Sequence, residues 1–64
     1  MIVRVNIDDE DLLNNPMLKA YNGKEYEVNK THRFKNSAYF FELKGCESKH
    51  GISYSFCREW LHKA

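Results

Sequence analysis

Two cysteine–histidine pairs, Cys46-x3-His50 and Cys57-x4-His62, carry half-site spacings that could hold zinc. Zinc asks for four sulfur or nitrogen ligands at about 2.0 to 2.3 Å, so both pairs would have to converge on one point. Glu47, Ser48 and His50 sit together and offer an acid, a hydroxyl and a base. Hydrolysis by such a trio needs the base oriented by a third group and an oxyanion site beside the hydroxyl. A third grouping is basic and aromatic: Lys30, His32, Arg33 and Lys35 surround Phe34. Cations interleaved with an aromatic ring can grip a phosphate backbone and stack a base. The same set also suits an acidic protein surface.

Which of these can form depends on the elements that carry them, above all the stretch from Tyr39 to Leu61. Tyr39, Phe41 and Leu43 alternate with Phe40 and Glu42, and Ile52, Tyr54 and Phe56 alternate with Ser53 and Ser55. Period-two alternation predicts half-buried strands. An antiparallel hairpin with Leu43 opposite Ile52, Phe41 opposite Tyr54 and Tyr39 opposite Phe56 puts all six large side chains on one face. Its tip, Gly45 to Gly51, has a glycine at each end, where a tight loop needs unusual dihedrals. In this register Cys46 lies opposite Lys49 and Cys57 opposite Ala38, roughly 26 Å apart along the hairpin. That separation keeps the two half-sites from converging. It also far exceeds the ~7 Å between Cα atoms that a disulfide tolerates. The thiols are therefore expected to be free, as in a reducing compartment, and Glu47, Ser48 and His50 are accounted for by turn chemistry.

The 64 residues, 42% hydrophobic and 14% aromatic, are expected to form one domain near the lower size limit for a chain with its own core. A net charge of +1 and a pI of about 7.8 give no strong field toward nucleic acid or an anionic membrane. No apolar run approaches the ~20 residues of a membrane span, and no signal-peptide core is present. The expectation is a cytoplasmic protein with no membrane association and no cofactor.

Met1 to Ile7 alternates Val3, Val5 and Ile7 against Arg4 and Asn6 and predicts an opening strand. Residues 8 to 20 read as an ordered excursion loop. Asp8 caps one helical turn holding Leu12 and Leu13, and Pro16 discourages its continuation. Asn22-Gly23 is a turn signal. Lys24 to Lys30 predicts a second strand with Tyr26 opposite Phe41 and Val28 opposite Tyr39, and Thr31 to Asn36 a polar, basic loop. Phe34 and Phe40 fall outside the shared apolar face. The basic loop is either a binding surface or a solvated one with Phe34 folded over a barrel end. Trp60 and Leu61 are expected to fold back over the aromatic row as core.

A first strand, an anchored excursion, a three-strand meander and a short turn with an apolar cap predict an all-β fold. The expected form is a small closed barrel of about five short antiparallel strands with a short helical turn near the C-terminus. This order resembles the Src-homology-3-like barrels. Residues 8 to 23 stand in place of their long first loop, Leu18-x-x-Tyr21-x-Gly23 resembles their diverging turn, and Cys57 to Leu61 their helical turn. The groove that binds proline-rich peptides is not matched. The first strand ends Val5-Asn6-Ile7, the third opens Ser37-Ala38-Tyr39, and the helical turn has no proline.

A narrower resemblance is carried by Tyr39-x-Phe41-x-Leu43-x-Gly45 and Gly51-Ile52-x-Tyr54-Ser55-Phe56-x-x-Glu59-Trp60-Leu61. These segments look like small uncharacterised proteins encoded in prophages and conjugative elements of Gram-positive bacteria. The resemblance implies a mobile-element accessory protein and transfers no catalytic residue. The expected function is a non-catalytic, protein-binding interaction module, with Lys30, His32, Arg33, Phe34 and Lys35 as the partner contacts. The alternative is a weak nucleic-acid-binding module using the same Lys30 to Lys35 loop.

Overall fold

Val3, Val5 and Ile7 are buried while Arg4 and Asn6 are exposed, so the alternation of the opening segment becomes a strand, β1 (Ile2–Val5). The computed structural model describes residues 1–36 and 38–64; Ser37, placed by its sequence context at the opening of the third strand, lies outside the described residues. After β1 come a helix, α1 (Asp9–Asn14), and a 3-10 segment, Pro16–Tyr21. The strands β2 (Glu25–Arg33), β3 (Tyr39–Glu47) and β4 (Ser53–Cys57) follow. A second 3-10 segment, Arg58–Trp60, leads into β5 (Leu61–Lys63). The strands form one antiparallel sheet in the order β4-β3-β2-β1-β5. The expected meander is there as β2, β3 and β4. The sheet is not closed: β4 and β5 form its two edges, and no pairing joins them among the described residues.

The excursion between β1 and β2 is more helical than a loop. Asp8 caps α1, its Oδ1 accepting from the Asp11 N–H at 2.8 Å, which satisfies an otherwise orphaned helix donor. Leu12 is buried beneath the helix, but Leu13 and Met17 are exposed, so the anchors of this segment are Leu12 and Leu18. Pro16 ends the α-helical pattern and opens the 3-10 segment, where its missing N–H does no harm. The excursion returns to the strand that launched it. Asn22 Oδ1 accepts from the Ile7 N–H at 2.8 Å, and the Gly23 N–H donates to the Val5 carbonyl at 2.7 Å. Gly23 has φ +80°, the left-handed conformation that the Asn-Gly pair signals.

Both hairpin registers differ from the expected ones. Thr31, His32 and Arg33 belong to β2 and pair with Phe41, Phe40 and Tyr39, while Val28 pairs with Leu43. A bulge between Val28 and Lys30 absorbs the change. These polar residues are held as strand by the aromatic strand beside them, and the connecting turn shrinks accordingly. In the second hairpin Phe41 faces Phe56, Glu42 faces Ser55 and Phe40 faces Cys57, a slip of two residues. An even slip keeps the inner face intact, as strand periodicity requires. Further along, β3 carries extra residues against β4 before Glu47 meets Ser53. That irregularity, with Gly45 at φ +90°, turns Cys46 into the core beside Leu43. Ile52, expected inside, is displaced into the turn and is 68% exposed.

The core is Val3, Val5, Ile7, Leu12, Leu18, Leu43, Cys46 and Phe56, with Tyr21, Tyr26, Phe41, Tyr54 and Trp60 packed around it. Trp60 does fold back, edge-on to Phe56 with ring centroids 6.3 Å apart. Its indole N–H donates to Asp11 Oδ2 at 2.9 Å and ties the second 3-10 segment to α1. Leu61 opens β5 opposite Val5 instead of ending the helical turn. No helix among the described residues is long and apolar enough to cross a membrane.

Candidate functional site

Because Lys30 to Arg33 is strand, its side chains alternate between the two faces of the sheet. Directly paired residues share a face. Lys30 and His32, opposite Glu42 and Phe40, lie on the outer face, and Arg33, opposite Tyr39, lies on the inner one. Phe34 begins the turn, where its N–H donates to the Ala38 carbonyl at 3.0 Å. Its ring, 54% exposed, meets Phe40 edge to face at 5.3 Å and 81°. Lys35 follows in the turn and shares a shallow hollow with Phe34, Asn36, Ala38 and Phe40. Three of the five expected contact residues, His32, Phe34 and Lys35, thus gather around Phe40, and Lys30 lies further along the outer face opposite Glu42. The fifth, Arg33, is carried away by strand parity.

Phe34 therefore rests on an outer-face neighbour and does not fold over a barrel end. Phe40 is the residue the basic-loop motif missed, although its being out of phase with Tyr39, Phe41 and Leu43 marked it as outward. His32 Nε2 lies 2.5 Å from Glu42 Oε2. That hydrogen bond, opposed by partial desolvation and helped by Ser53 and Lys30, holds the Glu42 carboxyl below its usual value. The cationic character of the face is thus reduced at its centre and preserved at Lys30 and Lys35.

The other constellations separate. Cys46 is fully buried and Cys57 half-buried, both as free thiols, while His50 and His62 are exposed. Burial pushes the Cys46 thiol up to about 11, with the Tyr26 hydroxyl pulling the other way, so the sulfur is a protonated core atom near neutral pH. Burial also raises the Cys57 thiol. Among the described residues no three His, Cys, Asp or Glu side chains come together as a metal site. Ser48 Oγ accepts from the His50 N–H at 3.3 Å and the Ile52 N–H at 3.2 Å. The hydroxyl is engaged in shaping the turn, as expected for serine there. The acids Asp8 and Asp11 line a second hollow with Cys57, Glu59, Trp60 and His62.

Comparison with protein-family models, with curated proteins and with solved structures finds no match to this chain.

Proposed function

We propose that this chain is a non-catalytic interaction module of the Src-homology-3-like barrel type, binding a protein partner through its outer face. Three features support the architecture. β2 changes partner along its length, pairing with β1 through Glu25 to Glu27 and with β3 from Val28 onward, and it bulges where the change occurs. A helical turn joins β4 to β5, and β5 lies beside β1. The long excursion falls between the first two strands.

The observation that carries the binding reading is the edge-to-face pair of Phe34 and Phe40 beside the strand turn. An exposed aromatic anchor with a polar surround is the composition of an interface centre, where rings supply much contact area at little entropic cost. Non-catalytic action fits the engagement of Ser48 in its turn and the protonated, buried state of Cys46. An accessory role on a mobile element is what the sequence resemblance implies, and a cytoplasmic setting fits the two free thiols.

A second reading, weak binding of single-stranded nucleic acid, is favoured by Lys35 beside the same ring pair and Lys30 further along the same face. Two lysines neutralise about two phosphates, so log affinity would fall with log salt at a slope near −1.4. Capture from a host lysate with wild type and with Phe34→Glu tests the first reading. A partner retained by wild type and lost by the variant supports it, and identical captures refute the outer face. A gel shift that follows the stated salt slope and is abolished by the same variant would transfer the site to nucleic acid.

A further inference from the structure

The inner face carries a second surface, separate from Phe34 and Phe40. Beside β5 the sheet opens into a cleft of about 600 Å³ whose lining includes Val3, Phe41 and Leu61, Tyr39, and the cations Arg58 and Lys63. Tyr39 and Phe41 stack at 6.5 Å with 20° between their planes. The guanidinium of Arg58 lies 6.0 Å from the Tyr39 centroid, and that of Arg33, from the neighbouring strand, lies 5.8 Å from the same centroid. Two exposed arginines from distant parts of the chain thus converge on one ring.

Such an arrangement leaves the arginines oriented but unneutralised. The ion pairs among the described residues join Arg4 to Glu25, His32 to Glu42 and Lys44 to Glu27. Among the described residues none joins a carboxylate to Arg33, Arg58 or Lys63, and no acid lines the cleft. A guanidinium resting on an aromatic face keeps its N–H fork available, and that fork matches a carboxylate in two parallel hydrogen bonds. Stacking on Tyr39 removes part of the side-chain freedom that binding would otherwise have to freeze.

We propose that this cleft is a binding site for an extended acidic segment of a partner protein. A carboxylate of the segment sits against Arg58 at the rim, and a neighbouring apolar side chain lies over Phe41 and Leu61. The charge of the rim selects an anion, and the floor selects against a purely polar one. Nucleic acid fits less well, because the Tyr39 ring is already in contact with Phe41 and two guanidiniums and the remaining floor is largely aliphatic. Base stacking needs a free aromatic face.

The test uses a short synthetic peptide alternating Glu with Leu and Phe, its Gln-for-Glu counterpart, and an oligothymidylate, each titrated into the full chain with NMR detection. The Glu peptide is expected to bind with shifts at the Phe41, Leu61 and Lys63 amides, and the Gln peptide about tenfold more weakly, as loss of a charge-assisted hydrogen bond implies. Arg58→Ala is expected to weaken the Glu peptide by a similar factor, and Phe34→Ala to leave it unchanged. Equal affinity for the Glu and Gln peptides, preference for oligothymidylate, or shifts confined to the Phe34–Phe40 face would each overturn the proposal. The peptide shifts are read on wild type, so the result does not depend on any variant folding. The Phe34→Ala control separates failure of this site from failure of the outer face.

Discussion

Trp60 joins parts of the chain 49 residues apart through one hydrogen bond to Asp11 and one edge-to-face contact with Phe56. The two contributions can be separated. Trp60→Phe keeps a ring against Phe56 and deletes the donor, whereas Trp60→Ala deletes both. A hydrogen bond to a charged group is worth about 1.5 to 3 kcal/mol. This one is only part-buried, so water competes and about 1 kcal/mol remains. The aromatic pair adds about 0.5 to 1.5 kcal/mol, and the apolar area of a half-buried indole about 2 kcal/mol more. Trp60→Phe should therefore cost about 1 kcal/mol and Trp60→Ala about 3.5 to 4.5 kcal/mol. A domain of this size has about 3 to 10 kcal/mol in all, so the alanine variant should be close to unfolded. The phenylalanine variant should melt about 4 to 8 °C lower. A double-mutant cycle of Trp60→Phe with Asp11→Ala, followed by urea and thermal unfolding, isolates the bond, since any helix-terminal effect of Asp11 cancels. The expected coupling is about 1 kcal/mol. Additivity within about 0.3 kcal/mol would refute the claim that this contact fastens α1 to the C-terminal turn.

Three further outcomes follow from other contacts. The Cys46 thiol, raised by burial from 9.0 to about 11, keeps its proton in the native state where the unfolded chain loses it. Stability should thus be full below pH 9 and decline as pH rises toward 11, by at most about 1.4 kcal/mol per pH unit. Tyr21 and Tyr26, also raised by burial, extend the decline above pH 10. Urea midpoints between pH 8 and 11 check this, and a slope unchanged in Cys46→Ala would exclude Cys46 as its source. Glu42 is held below 4.5 by His32, so its contribution is present above that pH and fades as pH falls through its lowered value. His32→Ala should return the Glu42 midpoint toward 4.5 in an NMR titration, and an unmoved midpoint would show that the contact is not formed in solution. Phe34→Ala removes a ring that is 54% exposed and should cost about 1 kcal/mol or less. A thermal melt showing a loss comparable with that of Trp60→Ala would place Phe34 in the core.

Much of the inner face was legible because burial imposes a period on it. Val3, Val5 and Ile7 alternate with Arg4 and Asn6, and no other local structure gives that pattern a use. Asp8 as a cap and Gly23 in its turn were equally readable, each being a local device whose residue type states the geometry. Registers were less readable. An aromatic row aligns nearly as well after a slip of two, and Gly45, which reads as the start of the hairpin tip, instead marks the irregularity within β3 that turns Cys46 inward. Thr31 to Arg33 reads as loop on composition, and only its pairing with Tyr39 to Phe41 makes it strand. That single difference redistributed the candidate site. A loop would have presented His32 and Arg33 together, whereas a strand sends them to opposite faces. Arg58 was invisible as a binding residue because its convergence with Arg33 on Tyr39 exists only after the chain has folded.

The pairing of β1 with β5, Val3 opposite Lys63 and Val5 opposite Leu61, is the least local in the molecule. Bringing those segments together closes almost the entire chain into a loop, whereas the β2–β3 and β3–β4 hairpins close over short turns. Loop-closure entropy therefore orders the assembly in time. The meander can form while β1 is still searching, and β1 and β5 can lock only after every other element exists. On a ribosome β1 can pair with β2 once Glu25 to Glu27 have emerged, but its other edge stays open until β5 follows. In the finished protein the same joint is where opening should begin, and it lies along one wall of the inner cleft. Hydrogen exchange would then be fastest along β5 and slowest in the middle of β3, and an occupant of the cleft, by bridging β3 and β5, would slow the opening of the whole domain.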